Sequence, residues 1–366
     1  MRPRDVYLEN SKTLGDSGVE TIDLDVTDPI SELYLKFEAT NGSTSNVDNL
    51  ITHNITKIEV IDGSDVLFGM IGRMARALYA HTEHKIPGEY YTGMQGDSPI
   101  EVIPLRFGTR LYDPFRALNP VNFLNPQLKI TWNLANIRDV GATGFSGGSL
   151  KYSLIARIME QAPAPTSFLM SKEVDYWTSA GSGDHRTDLP VDYPYRLLMV
   201  RAYERAVDFR SSISNLKLSV DSDKYIPFNL ESGDFCNLML NSLGELNQVY
   251  WNVLLDVTAR ETWMGHSLGC VIMPQNAGYI VAASYDWKST ILPVITKHDG
   301  TRGEGIPACL FSRGTALENC YVYPFGRLDE PSEWFVPPSS GSLRLFSSMG
   351  DADADCRVVV QQDRSY

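Results

Sequence analysis

The sequence is poor in basic charge, in cysteine and in long apolar runs. Its 32 Lys and Arg face 45 Asp and Glu, a formal net charge of −13. A sequence-independent nucleic-acid binder draws its affinity from neutralised phosphates, so this balance argues against one. The deficit is spread along the chain: residues 1–160 carry 15 basic against 20 acidic side chains, and the remainder 17 against 25. Neither half conceals a basic domain. No stretch approaches the ~18 consecutive apolar residues of a membrane-spanning helix. Residues 1–20 hold Arg2 and Arg4 but no apolar run, so no secretory signal is expected. The five cysteines (Cys236, Cys270, Cys309, Cys320 and Cys356) all lie in the second half. Their odd number and the lack of CxxC spacing argue against a disulfide framework or a zinc knuckle, so buried, reduced thiols are expected. No Gly-x-x-x-x-Gly-Lys-Ser/Thr or Gly-x-Gly-x-x-Gly loop occurs, and no cofactor is expected.

What is present reads as β structure. Hydrophobic residues make up 43% of the 366 and charged ones 21%, enough for packed cores. At roughly 150 residues per domain, the length fits about two domains. Glu32 to Glu38, Ile58 to Ile61, Leu128 to Trp132, Leu343 to Phe346 and Arg357 to Val360 alternate apolar and polar residues, as half-buried strands do. Asp62-Gly63 and Asp299-Gly300 supply turns between such runs. Two segments have helical spacing instead. Met70, Met74, Ala77, Leu78 and His81 form one apolar face, with Arg73, Arg76 and Glu83 elsewhere around the helix. Ser232 is a plausible N-cap for a helix to Leu243 with Phe235, Leu238 and Met239 on one face. A doubly wound α/β protein needs a helix after nearly every strand, and these two are too few.

The order of elements is written twice. Thr21 to Leu24 followed by Leu33 to Phe37 is answered by Thr187 to Leu189 followed by Leu197 to Val200. Ile55 to Val60 and Ser64-Asp65 are answered, 158 residues on, by Ile213 to Leu218 and Ser222-Asp223. The two helices follow in register. Phe107-Gly108 is then echoed by Phe325-Gly326, Leu128-Lys129-Ile130 by Leu343-Arg344-Leu345, and each copy closes on one more strand. Gln161-Ala162-Pro163-Ala164-Pro165 supplies a stiff, non-pairing linker after Glu160. The second copy is longer between its helix and its Phe-Gly block, which places an insertion between Leu246 and Cys320.

Two consecutive β units, each with a helix after its second strand pair, resemble the double jelly-roll major capsid proteins of the adenovirus-like lineage. That lineage includes tailless, membrane-containing viruses of bacteria and archaea. The resemblance is carried by Ile103-Pro104-Leu105-Arg106-Phe107 with Phe115 to Leu118 and Leu128 to Trp132. In the second unit, Tyr321-Val322-Tyr323-Pro324-Phe325-Gly326 carries it, with Ser342 to Phe346 and Val358 to Gln362. It implies an all-β fold of two tandem eight-stranded jelly rolls (β-sandwiches) with short helices in the loops. Roll one would span 1–162 and roll two 163–366, with a loop insertion at about 246–320. It also implies a structural subunit of the virion, not an enzyme: homotrimers with a pseudo-hexameric outline tile an icosahedral capsid, meeting neighbouring capsomers and penton or minor proteins. Residues 1–65 carry 13 acidic and 5 basic side chains, so no basic arm neutralises a genome. This fits a shell over an internal lipid membrane, without direct nucleic-acid contact, assembled in the host cytoplasm. Arg2 and Arg4 are the candidate contacts to anionic head groups, against solvation at a mobile terminus.

Three motifs suggest chemistry. Gly265-His266-Ser267-Leu268-Gly269 has the G-x-S-x-G form of a hydrolase nucleophile elbow, with His298 and Asp286 as nominal partners for Ser267. However, Pro274 stands where the nucleophile helix should run, and no His-Gly-Gly segment offers an oxyanion loop. A β-turn is expected there. Asp351, Asp353 and Asp355 resemble the start of a calcium loop, but Cys356 and Gln362 replace its glycine and its bidentate glutamate. A solvated turn is expected. His81 and His84 have metal-sharing spacing but lack a third ligand, so an exposed helix end is expected. Catalytic, cofactor and metal sites are therefore all read as none. The aromatic clusters Tyr90-Tyr91, Tyr250-Trp251 and Trp334-Phe335 also suit a carbohydrate-binding β-sandwich or virion spike, the alternative to a capsid subunit; core and interface packing is their commoner role.

Overall fold

The computed structural model describes residues 1–42, 46, 49–135, 144–255, 257–275, 278–285, 290–301, 305–338 and 341–366. The chain opens with β1 (Arg2–Thr13), β2 (Ser17–Asp23), β3 (Ile30–Glu38), the single turn α1 (Ile51–Asn54), β4 (Ile55–Asp62) and β5 (Asp65–Met70). There follow α2 (Gly72–Glu83), β6 (Ile100–Arg106), β7 (Pro126–Asn133) and β8 (Lys151–Glu160). The same series then recurs. It runs β9 (Ser167–Thr178), β10 (Gly183–Leu189), β11 (Tyr195–Tyr203), α3 (Phe209–Ser212), β12 (Ile213–Val220), β13 (Tyr225–Glu231) and α4 (Ser232–Leu243). Six strands interrupt it: β14 (Leu246–Leu254), β15 (Arg260–Glu261), β16 (Met264–Pro274), β17 (Tyr279–Tyr285), β18 (Thr290–Lys297) and β19 (Ile306–Leu317). It resumes with β20 (Cys320–Pro324), β21 (Leu343–Met349) and β22 (Asp355–Ser365). Even the 3-10 turns Pro120–Asn122 and Pro331–Glu333 occupy matching places.

Strand order makes the duplication explicit. The first roll has sheets β1-β8-β3-β6 and β2-β7-β4-β5; the second has β9-β22-β11-β20 and β10-β21-β12-β13. These are the two sheets of a jelly roll, twice over. The inner faces come from period-two alternation: Leu33, Leu35 and Phe37 on β3, Leu216 and Leu218 on β12, and Leu343 and Leu345 on β21 are buried. The rolls are joined through their backbones. β5 pairs with β9 in parallel, Phe68 opposite Ser171 and Gly69 opposite Lys172, which fuses one sheet of each roll into eight strands. The ion pair Arg364 to Asp65 (2.5 Å) spans the same joint.

The six inserted strands form two small sheets, β14-β19-β16 and β15-β18-β17. Their shared core is centred on Trp263 and Tyr250, whose rings are 4.8 Å apart. Leu50, Ala80 and Tyr91 of the first roll belong to that core, and Tyr91 lies 5.2 Å from Trp263. The insertion belongs to the second copy in sequence but is seated on the first roll.

Both helices form where periodicity places them, with differences at their edges. Met70 ends β5, and α2 begins only at Gly72; His84, in the left-handed region (φ 53°), closes it. The N-cap of α4 is Glu231, while the Ser232 hydroxyl donates to the Ile213 carbonyl. Phe235 and Met239 are buried, but Leu238 is 52% exposed rather than on the buried face. Its counterpart Leu78 is 5% exposed, because α2 is enclosed on every side except its last two residues. The N-terminal segment is also not a mobile tail. β1 is laddered to β8, and Arg4 pairs with Glu160 at 2.6 Å.

The enclosure of α2 is tightest at its start. A Cβ on Gly72 would lie 2.6 Å from the Thr52 carbonyl oxygen and 2.8 Å from Ile55 Cβ, whereas one on Gly233 in α4 meets nothing within 4 Å. Gly72→Ala should therefore cost about 2 kcal/mol or more by overpacking. Gly233→Ala should gain about 0.5–1 kcal/mol from helix propensity. Urea unfolding midpoints of the two variants test this contrast.

Candidate functional site

Among the described residues, those nominated from sequence do not converge on a catalytic arrangement. The Gly265 to Gly269 motif is not a turn but part of strand β16, with a register shift between Ser267 and Gly269. The glycines serve close backbone approach. A Cβ at Gly265 would sit 2.8 Å from the Ala316 oxygen, and one at Gly314, opposite Ser267, would strike the His266 carbonyl. Ser267 is buried, and its hydroxyl donates to the Arg313 carbonyl at 3.3 Å. His298 lies beyond β18, in the other inserted sheet, and Asp286 falls outside the described residues. A strand interior offers no strained elbow to expose a nucleophile.

Asp351 and Asp353 lie in the turn expected of them, but Asp355 opens β22 and is half-buried in ion pairs. Arg201 reaches it at 2.6 Å and Arg357 at 2.8 Å. Among the described residues no group of three or more His, Cys, Asp or Glu is placed to hold a metal ion. His81 is not at an exposed helix end: it is buried, and its Nε2 accepts the Leu317 N–H at 3.2 Å. His84 Nδ1 lies 2.6 Å from the Leu243 carbonyl oxygen. All five cysteines are free; four are buried and Cys270 is half-buried. Burial pushes the thiols of Cys236, Cys320 and Cys356 up to about 12 and that of Cys270 to about 11, so thiolates are scarce at neutral pH.

The strongest electrostatic feature lies where α2 meets the insertion. Glu318 and Asn319 connect β19 to β20, both with positive φ (56° and 59°), in the left-handed region that disfavours glutamate. The carboxylate holds the turn there. Glu318 accepts from Arg73 Nε at 2.9 Å and from Arg76 Nη1 at 3.0 Å, and its Oε1 lies 3.1 Å from His53 Nε2. His53 Nδ1 accepts the Leu50 N–H at 3.3 Å, which leaves the proton on Nε2, facing Glu318. Arg76 extends the chain to Glu89 (2.8 Å), which also receives Gln248 at 2.6 Å. Glu101 on β6 accepts the Ile51 and Thr52 N–H groups at the start of α1 (2.7 and 3.0 Å). Arg201 donates to the Glu318 carbonyl, and both it and Arg73 stack over Tyr203 (4.7 and 4.3 Å).

Arg73 and Arg76 were expected away from the buried face; both are buried, since their charge is met inside. Periodicity along α2 cannot reveal a partner more than 240 residues away. Two arginines at i and i+3 among the apolar residues of a short helix were the local sign.

Burial pulls on each of these groups. Burial would raise the Glu318 carboxyl, but Arg73, His53 and Arg76 overcome it and hold the group well below its usual range. For Glu101 burial wins over Arg76 and the two N–H donors, and the carboxyl rises to about 7. Burial, helped by His84, lowers His81 to about 3, so it stays neutral.

The other conspicuous surface is apolar. On the outward face of β14-β19-β16, Val249 and Val271 flank Phe311, and Trp251 and Met273 flank Cys309. Val249, Trp251, Val271 and Met273 are exposed. Sheet faces this apolar commonly mark protein contacts. Tyr91, Tyr250 and Trp334 are packed inside, whereas Tyr90 stands in solvent.

Two tandem jelly rolls define the class: this is the double jelly-roll fold, shared with viral major capsid proteins. The chain is similar over 100% of its length to the major capsid protein P2 of bacteriophage PM2 (TM-score 0.57, 11% identity, 98% of that chain). It is likewise similar over 100% of its length to a chain of Sulfolobus Turreted Icosahedral Virus (0.61, 7%, 91%). Over 99% of its length it is similar to VP54 of PBCV-1 (0.56, 9%, 93%). At these identities the likeness is one of fold. No protein-family model matches the chain, and no curated protein matches it in sequence.

Two stability experiments test the buried cluster. Glu318→Ala leaves the buried Arg73 without its carboxylate and Arg76 with Glu89 alone, and should cost about 3–5 kcal/mol in chemical unfolding. The pH profile follows from the signs. As pH falls from 7 to 4.5, the raised Glu101 stabilises the fold; from 6.5 towards 3, the unprotonated His81 destabilises it. The two slopes cancel over most of that window. Below 4.5 only losses remain, because the depressed Glu318 then adds its own. In Glu101→Gln the His81 loss should stand uncovered between pH 6.5 and 4.5, at about 1.4 kcal/mol per unit. A flat profile in that variant refutes the assignment.

Proposed function

We propose that this chain is a major capsid protein, a structural subunit of a virion shell and not an enzyme. The observation that carries this reading is the likeness of the whole duplicated fold to capsid proteins of three viruses. In this reading roll one spans 1–162 and roll two 163–366, with the insertion at about 246–320 rising from the second roll onto the first. Three chains supply six similar rolls, so a three-fold assembly acquires a pseudo-hexagonal outline that packs in an icosahedral lattice. Neighbouring capsomers and penton or minor proteins are the further partners, in the virion after assembly in the host cytoplasm. The apolar outer face of β14-β19-β16 supports a role in subunit contacts.

The acidic balance supports a shell that does not hold its genome directly, as over an internal membrane. With Arg4 engaged by Glu160, membrane contact through the N-terminal strand would fall mainly to Arg2. Native mass spectrometry of the purified protein should give three chains of 40.9 kDa, and negative-stain images a hexagonal outline. A compact monomer at micromolar concentration would overturn the reading.

A further inference from the structure

Arg196, near the start of β11, is a buried arginine that faces no carboxylate. It is 3% exposed, yet its hydrogen bonds go to neutral groups: Nε donates to the Leu328 carbonyl at 2.8 Å and Nη1 to the Gln361 side-chain oxygen at 2.7 Å. Nη2 has no partner among the described residues. By contrast Arg73, Arg76 and Arg201, also buried, each meet a carboxylate. Burial, reinforced by Arg106 and Arg116 against Glu83 and Asp329, lowers Arg196 to about 10, so it is charged at neutral pH. A buried cation without a counter-charge is costly.

The duplicated fold does not require that charge. Phe325 donates its N–H to the Arg196 carbonyl as Phe107 donates to that of Ser31, so the two residues are counterparts. In roll one the Ser31 hydroxyl accepts the Tyr112 N–H and tethers the loop after β6. Arg196 tethers the loop after β20 through Nε, and Nη2 is surplus to that task.

Arg196 lines a cavity of about 430 Å³, with Thr82, His84 and Thr109 from roll one and Ser242, Arg327 and Asp329 from roll two. The hydroxyl protons of Thr82, Thr109 and Ser242 are already donated to Leu78, Asp113 and Leu238, and His84 Nδ1 donates to the Leu243 carbonyl. The donors left for a guest are Arg196 Nη2 and, at the rim, Arg327. Arg327 is 67% exposed, and its pairs with Glu330 and Glu333 are of the weak, solvent-facing kind. Asp329 shares the wall but forms no ion pair with Arg196.

We propose that this cavity binds a small oxyanion of the phosphate kind on Arg196 Nη2, as the counter-charge that the protein itself leaves out. An oxyanion meets the guanidinium with a charge-assisted hydrogen bond and keeps its other oxygens hydrated in the cavity's water, which suits a site with so few protein donors. The walls come from both rolls, so the site exists only when the rolls are docked. Occupancy therefore stabilises the two-roll arrangement by mass action.

Equilibrium dialysis of the full chain against labelled inorganic phosphate tests the site. Wild type should bind a single phosphate per chain with a submillimolar dissociation constant, and phosphate should raise its melting temperature. Arg196→Gln should weaken binding about tenfold through the loss of one charge-assisted contact. Asp329→Asn, at an exposed position, should tighten it about threefold by removing a like charge from the wall. If Arg196→Gln fails to fold, Asp329→Asn decides together with the exposed Arg327→Ala, which should bind about threefold more weakly. A folded wild type that binds no phosphate at millimolar concentration overturns the proposal. So do folded variants that bind it as wild type does, since the phosphate then sits elsewhere.

Discussion

The carboxylate of Glu318 is the point on which the three bodies of the molecule converge. It sits in a two-residue turn whose backbone disfavours glutamate, between the last inserted strand and the resumption of roll two. Its partners Arg73, Arg76 and His53 all belong to roll one. Desolvating such charges costs several kcal/mol per ion, and the geometry offsets this by giving each oxygen its own donors. The outcome is specificity of placement more than net stability. A hydrophobic contact would tolerate sliding between roll and insertion; a carboxylate held from three directions does not.

The backbone joint and the charge cluster divide the labour of holding the rolls together. Two rungs of parallel pairing set the relative height of the rolls, and the Arg364 to Asp65 pair flanks them at the surface. These contacts alone would leave a hinge. Seating the inserted sheets on Leu50, Ala80 and Tyr91 closes it from the other side, so roll one is gripped along β5 and along α2. The enclosure of α2 and the openness of α4 follow from that grip, not from any difference between the two helices' own propensities.

Most of the architecture was legible in the sequence, because strands announce themselves locally. Alternation in Leu33 to Phe37 or Leu343 to Phe346 needs only neighbours a few residues apart, and the duplication was visible as a repeated order of such runs. The limits are equally physical. Leu238 reads as core by helical spacing, but its exposure depends on what covers α4. The Gly265 to Gly269 run reads as a turn, yet its glycines admit the neighbouring strand β19, and nothing within five residues signals that. Arg73 and Arg76 read as lying off the apolar face, and His81 as part of an exposed helix end, until residues 317–318, far along the chain, are laid against them.

The interleaving of strands also sets a temporal order. The strands β1 to β8 lie within residues 2–160 and, apart from the joint of β5 with β9, pair only with one another. Roll two cannot form its first sheet until β22 exists, because β22 lies between β9 and β11 and supplies ladder partners to both. The inserted strands and Glu318 precede β22 in the chain, so the segments that seat on roll one exist before roll two can close. Until β22 is made, β9 has no ladder partner on the side away from β5. The final strand both completes the second core and covers an exposed edge of β9, and neither happens before residues 355–365 have been made.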